Sequence, residues 1–244
     1  MGILPGPERT PSPDVSPARA ALRRRRTRRR PRQRSELYRA PRRAESRARN
    51  TMSRIDLHLH TTHSDGSFST REVMGFAKQA GLAALAITDH DIVEGIPEAT
   101  AIGNELGIEV VPGVEISSRL GESELHILGY FLDWTDPVLA ERLKTLRDSR
   151  HLRNPRIVQR LNELGIPITY DEVRALAGTE SVGRPHIARL LMEKKFVTSA
   201  KEAFDRYLAN GRPAFVDREL PEPATAVRWI REAGGVPVLA HPTW

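Results

Sequence analysis

Two histidines stand two residues apart in Asp56-Leu57-His58-Leu59-His60, within a stretch that reads as a strand. On an extended backbone, side chains at i and i+2 share a face, so both imidazoles point the same way while Leu57 and Leu59 turn into packing. Imidazole is a standard ligand for zinc, iron or manganese, and such a pair can chelate one ion. The pair alone is weak grounds for a metal, but it has company. Asp65 lies in His63-Ser64-Asp65-Gly66, a turn able to fold a carboxylate back over the strand end. His90 sits in Thr88-Asp89-His90-Asp91, Glu115 ends Pro112-Gly113-Val114-Glu115, His126 lies on a fourth strand and His241 follows the last one. A helix cap or a core contact accounts for any one of them, not for six at strand termini. Polar residues recurring where apolar strands end are the pattern of a βα-barrel active site, at the carboxyl face of its sheet.

The elements that must carry these residues appear as alternating strand and helix signals from Arg54 onward, the mark of an α/β fold. Strands are expected at 55–60, 85–88, 109–116 and 125–131. Ser69, with Glu72 three residues on, predicts a capping box, and Val73, Phe76, Ala77 and Ala80 follow at helical spacing up to Gly81. Pro97 opens a second helix that Gly107 closes. From Asp136 to about Asn210 the signals turn helical, at 138–149, 156–164, 170–177, 186–195 and 200–208, which predicts an inserted subdomain. Strand character returns at Ala214-Phe215-Val216, and a helix at 224–233 leads through Gly234-Gly235 to a strand at 236–240.

Composition narrows the classes. With 39% hydrophobic and 28% charged residues, the chain suits a soluble globular fold, and no stretch approaches the ~20 apolar residues of a membrane span. No cysteine is present, so disulfides, Cys-zinc sites, iron–sulfur clusters and thiol nucleophiles are excluded, and a cytoplasmic setting fits. The net charge of +7 hides an asymmetry. Residues 1–51 hold 16 arginines, no lysine, seven prolines and four acids, which makes that segment +12 and leaves −5 for the rest. Such a tail is expected to be disordered. It could serve as a nucleic-acid arm or a transit-type presequence. The favoured expectation is that translation begins at Met52 and the tail is upstream sequence. The expected organisation is therefore a tail at 1–51, a first barrel part at 52–134, a helical insertion at 135–213 and the barrel continued at 214–244.

Together, Asp56 to Thr61, Ser64-Asp65-Gly66, Thr88 to Asp91, Pro112 to Glu115 and Ala240-His241-Pro242 resemble the PHP (polymerase and histidinol phosphatase) family. Gly183-Arg184-Pro185-His186 is similar to its branch of 3′,5′-nucleoside bisphosphate phosphatases and RNA 5′-exonucleases such as RNase AM. The resemblance implies a distorted seven-stranded βα barrel holding three divalent metals, usually manganese, zinc or iron, with magnesium a further candidate. It implies His58 and His60 on one metal with Glu115 bridging to another, Asp65 and His90 on the second, and His126, His241 and Glu115 on the third. Arg184 and His186 would contact the substrate phosphate, that of a nucleotide or a short RNA 5′ end. A guanidinium fork beside a helix start is independently suited to phosphate oxygens. Family members carry two further ligands, an Asp and a His two apart on a late strand, which this sequence lacks. Six of seven strands are therefore expected, in a truncated chain or a damaged product with impaired activity.

The expected chemistry is phosphoester hydrolysis by in-line attack of an activated water, with Arg184 and His186 positioning the phosphate and Asp65 one candidate for leaving-group protonation. The alternative is a PHP domain depleted of ligands that acts as a binding or scaffold module. A third reading makes the chain a nucleic-acid binder driven by the arginine tail. His63 is expected outside the ligand set, the basic stretch 147–153 with His151 is expected to be a solvated helix face, and Asp56 and Asp91 are expected to orient ligand imidazoles.

Overall fold

The computed structural model describes residues 54–178 and 181–242, so the expectations for residues 1–51 and for a start at Met52 lie outside the described residues. Strands β1 (Arg54–Leu59), β2 (Leu82–Ile87) and β3 (Glu109–Leu120) lie parallel and side by side. Strands β4 (Ser123–Tyr130) and β5 (Val236–Leu239) follow in that order, each antiparallel to its neighbour. Among the described residues there are thus five strands in a mixed sheet, not the expected six of a seven-stranded barrel. Residues 121 and 122 form a two-residue loop between the paired Leu120 and Ser123, and Gly121 takes φ 58° where another residue would be strained. A hairpin replaces the crossover that a parallel strand needs. The expected strand at Ala214-Phe215-Val216 does not form; Ala214 instead caps the preceding turn, its N–H donating to Tyr207 O.

The sheet curls. Laid flat, β1 and β5 would lie about 19 Å apart, four strand spacings. Yet the rings of His58 on β1 and His241 just beyond β5 stack with centroids 5.8 Å apart. Tyr130 Oη closes the inside of the curve by donating to Leu57 O at 2.9 Å, where Leu57, Val111, Leu128, Tyr130 and Ala240 pack together.

Helices cover the outside. The capping box at Ser69 and Glu72 starts α1 (Thr70–Gln79), and α2 (Ile96–Leu106) stops at Gly107 in the left-handed region. Their apolar faces join β2 and β3 in a core of Met74, Leu85, Ile87, Ile102 and Val110. The expected helices at 138–149 and 156–164 prove to be one, α3 (Pro137–Glu163), which runs through Pro155. Its buried face, Leu139, Leu143, Leu146, Arg150, Asn154, Ile157 and Leu161, is continuous at helical spacing, and that packing holds the helix across the proline's missing hydrogen bond. Next come α4 (Tyr170–Ala177), α5 (Arg184–Glu193) and α6 (Ala200–Ala203), the last passing into a π-helical turn, Phe204–Leu208, where a plain helix was expected. With the end of α3 they enclose a core of Ile157, Leu161, Val173, Ile187, Leu191 and Leu208. The last helix, α7 (Pro223–Glu232), seats Ile230 on β4 at Gly129, where a Cβ would come within 2.9 Å of the isoleucine. No helix among the described residues is long and apolar enough to cross a membrane.

Candidate metal centre

Glu115 is the hub. It stands in mid-β3 rather than at a strand end as expected, is 1% exposed, and sits where the chain leaving β2 bridges back through His90. Its Oε2 lies 2.8 Å from His58 Nε2, 3.0 Å from His60 Nε2 and 3.7 Å from His90 Nδ1. Its Oε1 lies 3.0 Å from His126 Nδ1 and 3.1 Å from His241 Nε2. Asp65 faces the same space, 3.7 Å from both His60 Nδ1 and His90 Nε2. Five imidazoles and two carboxylates from six segments therefore share one concavity, which the curl of the sheet creates.

The donor set suits divalent cations. Three groups, His58–His60–Glu115, His60–Asp65–His90 and His90–Glu115–His126, each offer ligand atoms within 4.8 Å of one another. His90 Nδ1 and His126 Nδ1 are buried without a hydrogen bond, although the latter is close to Glu115. Buried nitrogens that lack a proton partner are costly unless an ion takes their lone pairs. Burial opposes a charge on Glu115, but His126, His58 and His60 outweigh it and hold the carboxyl far below its usual range. Burial likewise opposes a charge on Asp65, yet His90 and His60 keep it low. Burial pushes His90 down to about 4 against the pull of Asp65 and Glu115. His126 goes the other way: burial lowers it, but Glu115 and Glu124 raise it to about 9.

A second polar layer adjoins this one. Asp91, fully buried at φ 58°, accepts from Ser117 N and Oγ and from Arg150 Nη2 at 2.5 Å, with Arg218 Nη1 at 3.7 Å. Glu124 Oε2 accepts from Arg184 Nη2 at 2.6 Å, and Arg218 Nη2 lies 3.3 Å from Oε1. Burial opposes the charge of Glu124, but His126, Arg184 and Arg218 hold it well below the carboxylate range. Arg153, 4% exposed, bonds only the Asn154 side-chain oxygen among its hydrogen bonds to described residues. Three guanidiniums thus hold two carboxylates, with a fourth, that of Arg153, buried close by.

Arg184 and His186 open α5 beside the metal-site residues: a Cβ built on Gly183 would lie 3.9 Å from Asp65 Cβ. The Arg184 guanidinium also approaches the rings of Phe204 and Phe215, at 5.9 and 6.0 Å. His186 Nδ1 accepts from Gly183 N at 3.0 Å, which leaves the proton of the neutral ring on Nε2. Burial lowers the His186 pKa, so the neutral form prevails.

Some expected roles change. Asp91 orients arginines and Ser117, not an imidazole, and Asp56 accepts from the His58 backbone rather than its ring. The stretch 147–153 is not a solvated face, because Arg150 and Arg153 are buried and Arg147 donates to Asp91 O; His151 is exposed. His63 turns to Glu98 on α2, at 4.0 Å. Sequence reasoning missed Asp89, whose carboxylate binds Thr61 N, Thr61 Oγ1 and Ser64 Oγ and so folds the Asp65 turn over β1. It also missed Glu124, although Glu124 and His126 share a strand face by the same i, i+2 rule that singled out His58 and His60. Arg218 had no local signal.

Comparison with known proteins gives a consistent result. The PHP domain profile matches residues 56–210. The chain is 40% identical over 189 residues to a 5′-3′ exoribonuclease of Haemophilus influenzae, covering 78% of this chain and 69% of that protein. It is 37% identical over 192 residues to a 3′,5′-nucleoside bisphosphate phosphatase of Chromobacterium violaceum, covering 78% and 67%. Among solved structures, an amidohydrolase from Chromobacterium violaceum with bound sulfate and no metal superposes with a TM-score of 0.74 at 36% identity, over 77% of this chain and 66% of that one. The chain spans about two thirds of the length of each.

Proposed function

The chain belongs to the PHP domain family, and from that premise we propose that it is a metal-dependent phosphoesterase that hydrolyses phosphate esters of nucleotides. The observation that carries this reading is the convergence of His58, His60, Asp65, His90, Glu115, His126 and His241 on one concavity. In this reading His58 and His60 would hold one ion, Asp65 and His90 a second, and His126 and His241 a third, with Glu115 available to them; manganese, zinc and iron would all suit the donors. Bound divalent ions would lower the pKa of a water and neutralise charge on phosphoryl oxygens.

The protein's own groups do the rest. Arg184 offers a fixed guanidinium to the phosphate, held by Glu124 on one side and aromatic rings beyond. Neutral His186 presents Nε2–H as a second donor at the start of α5. Both contribute positioning and charge stabilisation. Asp65, kept ionised by His90 and His60 despite its burial, acts in this reading as a ligand or base. The substrate we propose is a 3′,5′-bisphosphate nucleotide or the 5′ end of a short RNA, in keeping with the names of the two relatives. We assign residues 52–134 and 214–244 to the catalytic sheet and 135–213 to a helical insertion that shapes the substrate end, in a cytoplasmic protein.

The test is phosphate or nucleotide release from 3′,5′-bisphosphates and from 5′-phosphorylated RNA, with Mn²⁺ and with chelator. Activity that chelation and Glu115→Gln abolish is expected. Hydrolysis indifferent to both would sink the proposal.

A further inference from the structure

The two polar layers meet at one side chain that the proposed mechanism uses only in passing. Glu124 opens β4 two residues before His126, so both side chains rise from the same face of the strand. His126 turns its Nδ1 to Glu115 at 3.0 Å and its Nε2 to Glu124 Oε1 at 3.8 Å. The other oxygen of Glu124 takes the 2.6 Å bond from Arg184, and Arg218, its side chain only 3% exposed, braces Oε1 at 3.3 Å.

An imidazole that gives one nitrogen to an ion needs an acceptor for the proton on the other, which sets its tautomer and ring plane. Glu124 faces that edge of His126. An arginine that receives a phosphate needs its fork fixed beforehand, or binding has to order a long side chain. Glu124 fixes the Nη2 of Arg184 in this way. Its third partner, Arg218, also reaches Asp91, so the carboxylate is anchored to the core beneath.

We infer that Glu124 is a positioning residue that ties the metal-binding His126 to the phosphate-binding Arg184, so that a single carboxylate aligns both halves of the site. This rests on the roles proposed above for His126 and Arg184, and the test separates the two. Mn²⁺ and inorganic phosphate binding are measured by calorimetry on the full chain, phosphate at saturating Mn²⁺, for Glu124→Gln, Glu124→Asp, Arg184→Ala and the double variant Glu124→Gln/Arg184→Ala.

The Gln variant is expected to bind Mn²⁺ roughly 10- to 100-fold more weakly, the usual loss when a ligand's outer partner is changed, and to lose about tenfold in phosphate affinity. The Asp variant, which keeps the charge, recovers Mn²⁺ affinity in part and remains informative if the Gln variant melts early. In the Arg184→Ala background the Gln substitution costs no further phosphate affinity, since its effect passes through Arg184; a general structural defect would instead add. Wild-type affinities in Glu124→Gln, or additive losses in the double variant, overturn the inference, as does a wild-type chain that binds neither probe. A wild-type chain that binds both probes but cleaves no nucleotide, with these losses in the variants, overturns the proposed function and upholds the role of Glu124.

Discussion

The layer around Glu115 and the layer around Asp91 and Glu124 are built from opposite surpluses. In the first, five imidazoles crowd one buried carboxylate, and two of their nitrogens lack a hydrogen bond. In the second, three arginines hold two carboxylates and a fourth, Arg153, lies close by, its pKa pushed down by burial and by Arg218, Arg184 and Arg150. Lone pairs in excess attract cations, and guanidinium donors in excess attract anions. The difference also separates function from stability. Asp91 is satisfied on every side and locks α3 to β3, whereas His90 Nδ1 and His126 Nδ1 beside Glu115 are buried without a hydrogen bond among the described residues.

The sharpest test of that contrast is Asp91→Asn. Asparagine tolerates the left-handed backbone at φ 58°, so the change isolates the charge. Removing one partner of a buried ion pair costs about 3–5 kcal/mol, so chemical denaturation should show a loss of that size. The contrast breaks if stability survives and Mn²⁺ binding is lost instead. Glu115→Gln should do the reverse: a loss of more than ~100-fold in Mn²⁺ affinity, beyond what changing a ligand's outer partner costs, read by calorimetry with the fold intact by circular dichroism.

The pH profile of the metal-free protein comes next. His126 titrates at about 9 in the fold, above the ordinary value of 6.5, so its contribution is full below 6.5 and is lost as pH rises through 9. His90 is depressed to about 4, so its contribution is full above 6.5 and is lost as pH falls through 4. Stability, read by chemical denaturation, should therefore peak near pH 6.5 and decline toward pH 9 by an amount on the order of 3 kcal/mol. His126→Asn should remove most of the alkaline decline, leaving the smaller part that comes from His60, whose pKa burial lowers but Glu115 and Asp65 raise overall; an undiminished decline would place the titration elsewhere. Smallest of all, Ser69→Ala removes the cap of α1, outside both layers, and should cost about 1 kcal/mol while Mn²⁺ affinity stays unchanged.

What could be read without coordinates was whatever short-range rules write into neighbouring residues. The i, i+2 rule places His58 and His60 on one face, the capping box at Ser69 and Glu72 starts α1, Gly107 stops α2, and the motifs around Asp65, His90, Glu115 and His241 lead to the PHP family. Tertiary structure decided the rest. Helix α3 survives Pro155 because a buried face from Leu139 to Leu161 outweighs one lost hydrogen bond, and no window around the proline contains that face. The stretch at 214–216 carries strand residues but finds no neighbour to pair with. Arg218 meets Asp91 and Glu124 across 127 and 94 positions of chain through the packing of whole elements. Propensity and spacing act over a few residues, whereas the closeness of distant charges is set by how whole elements pack.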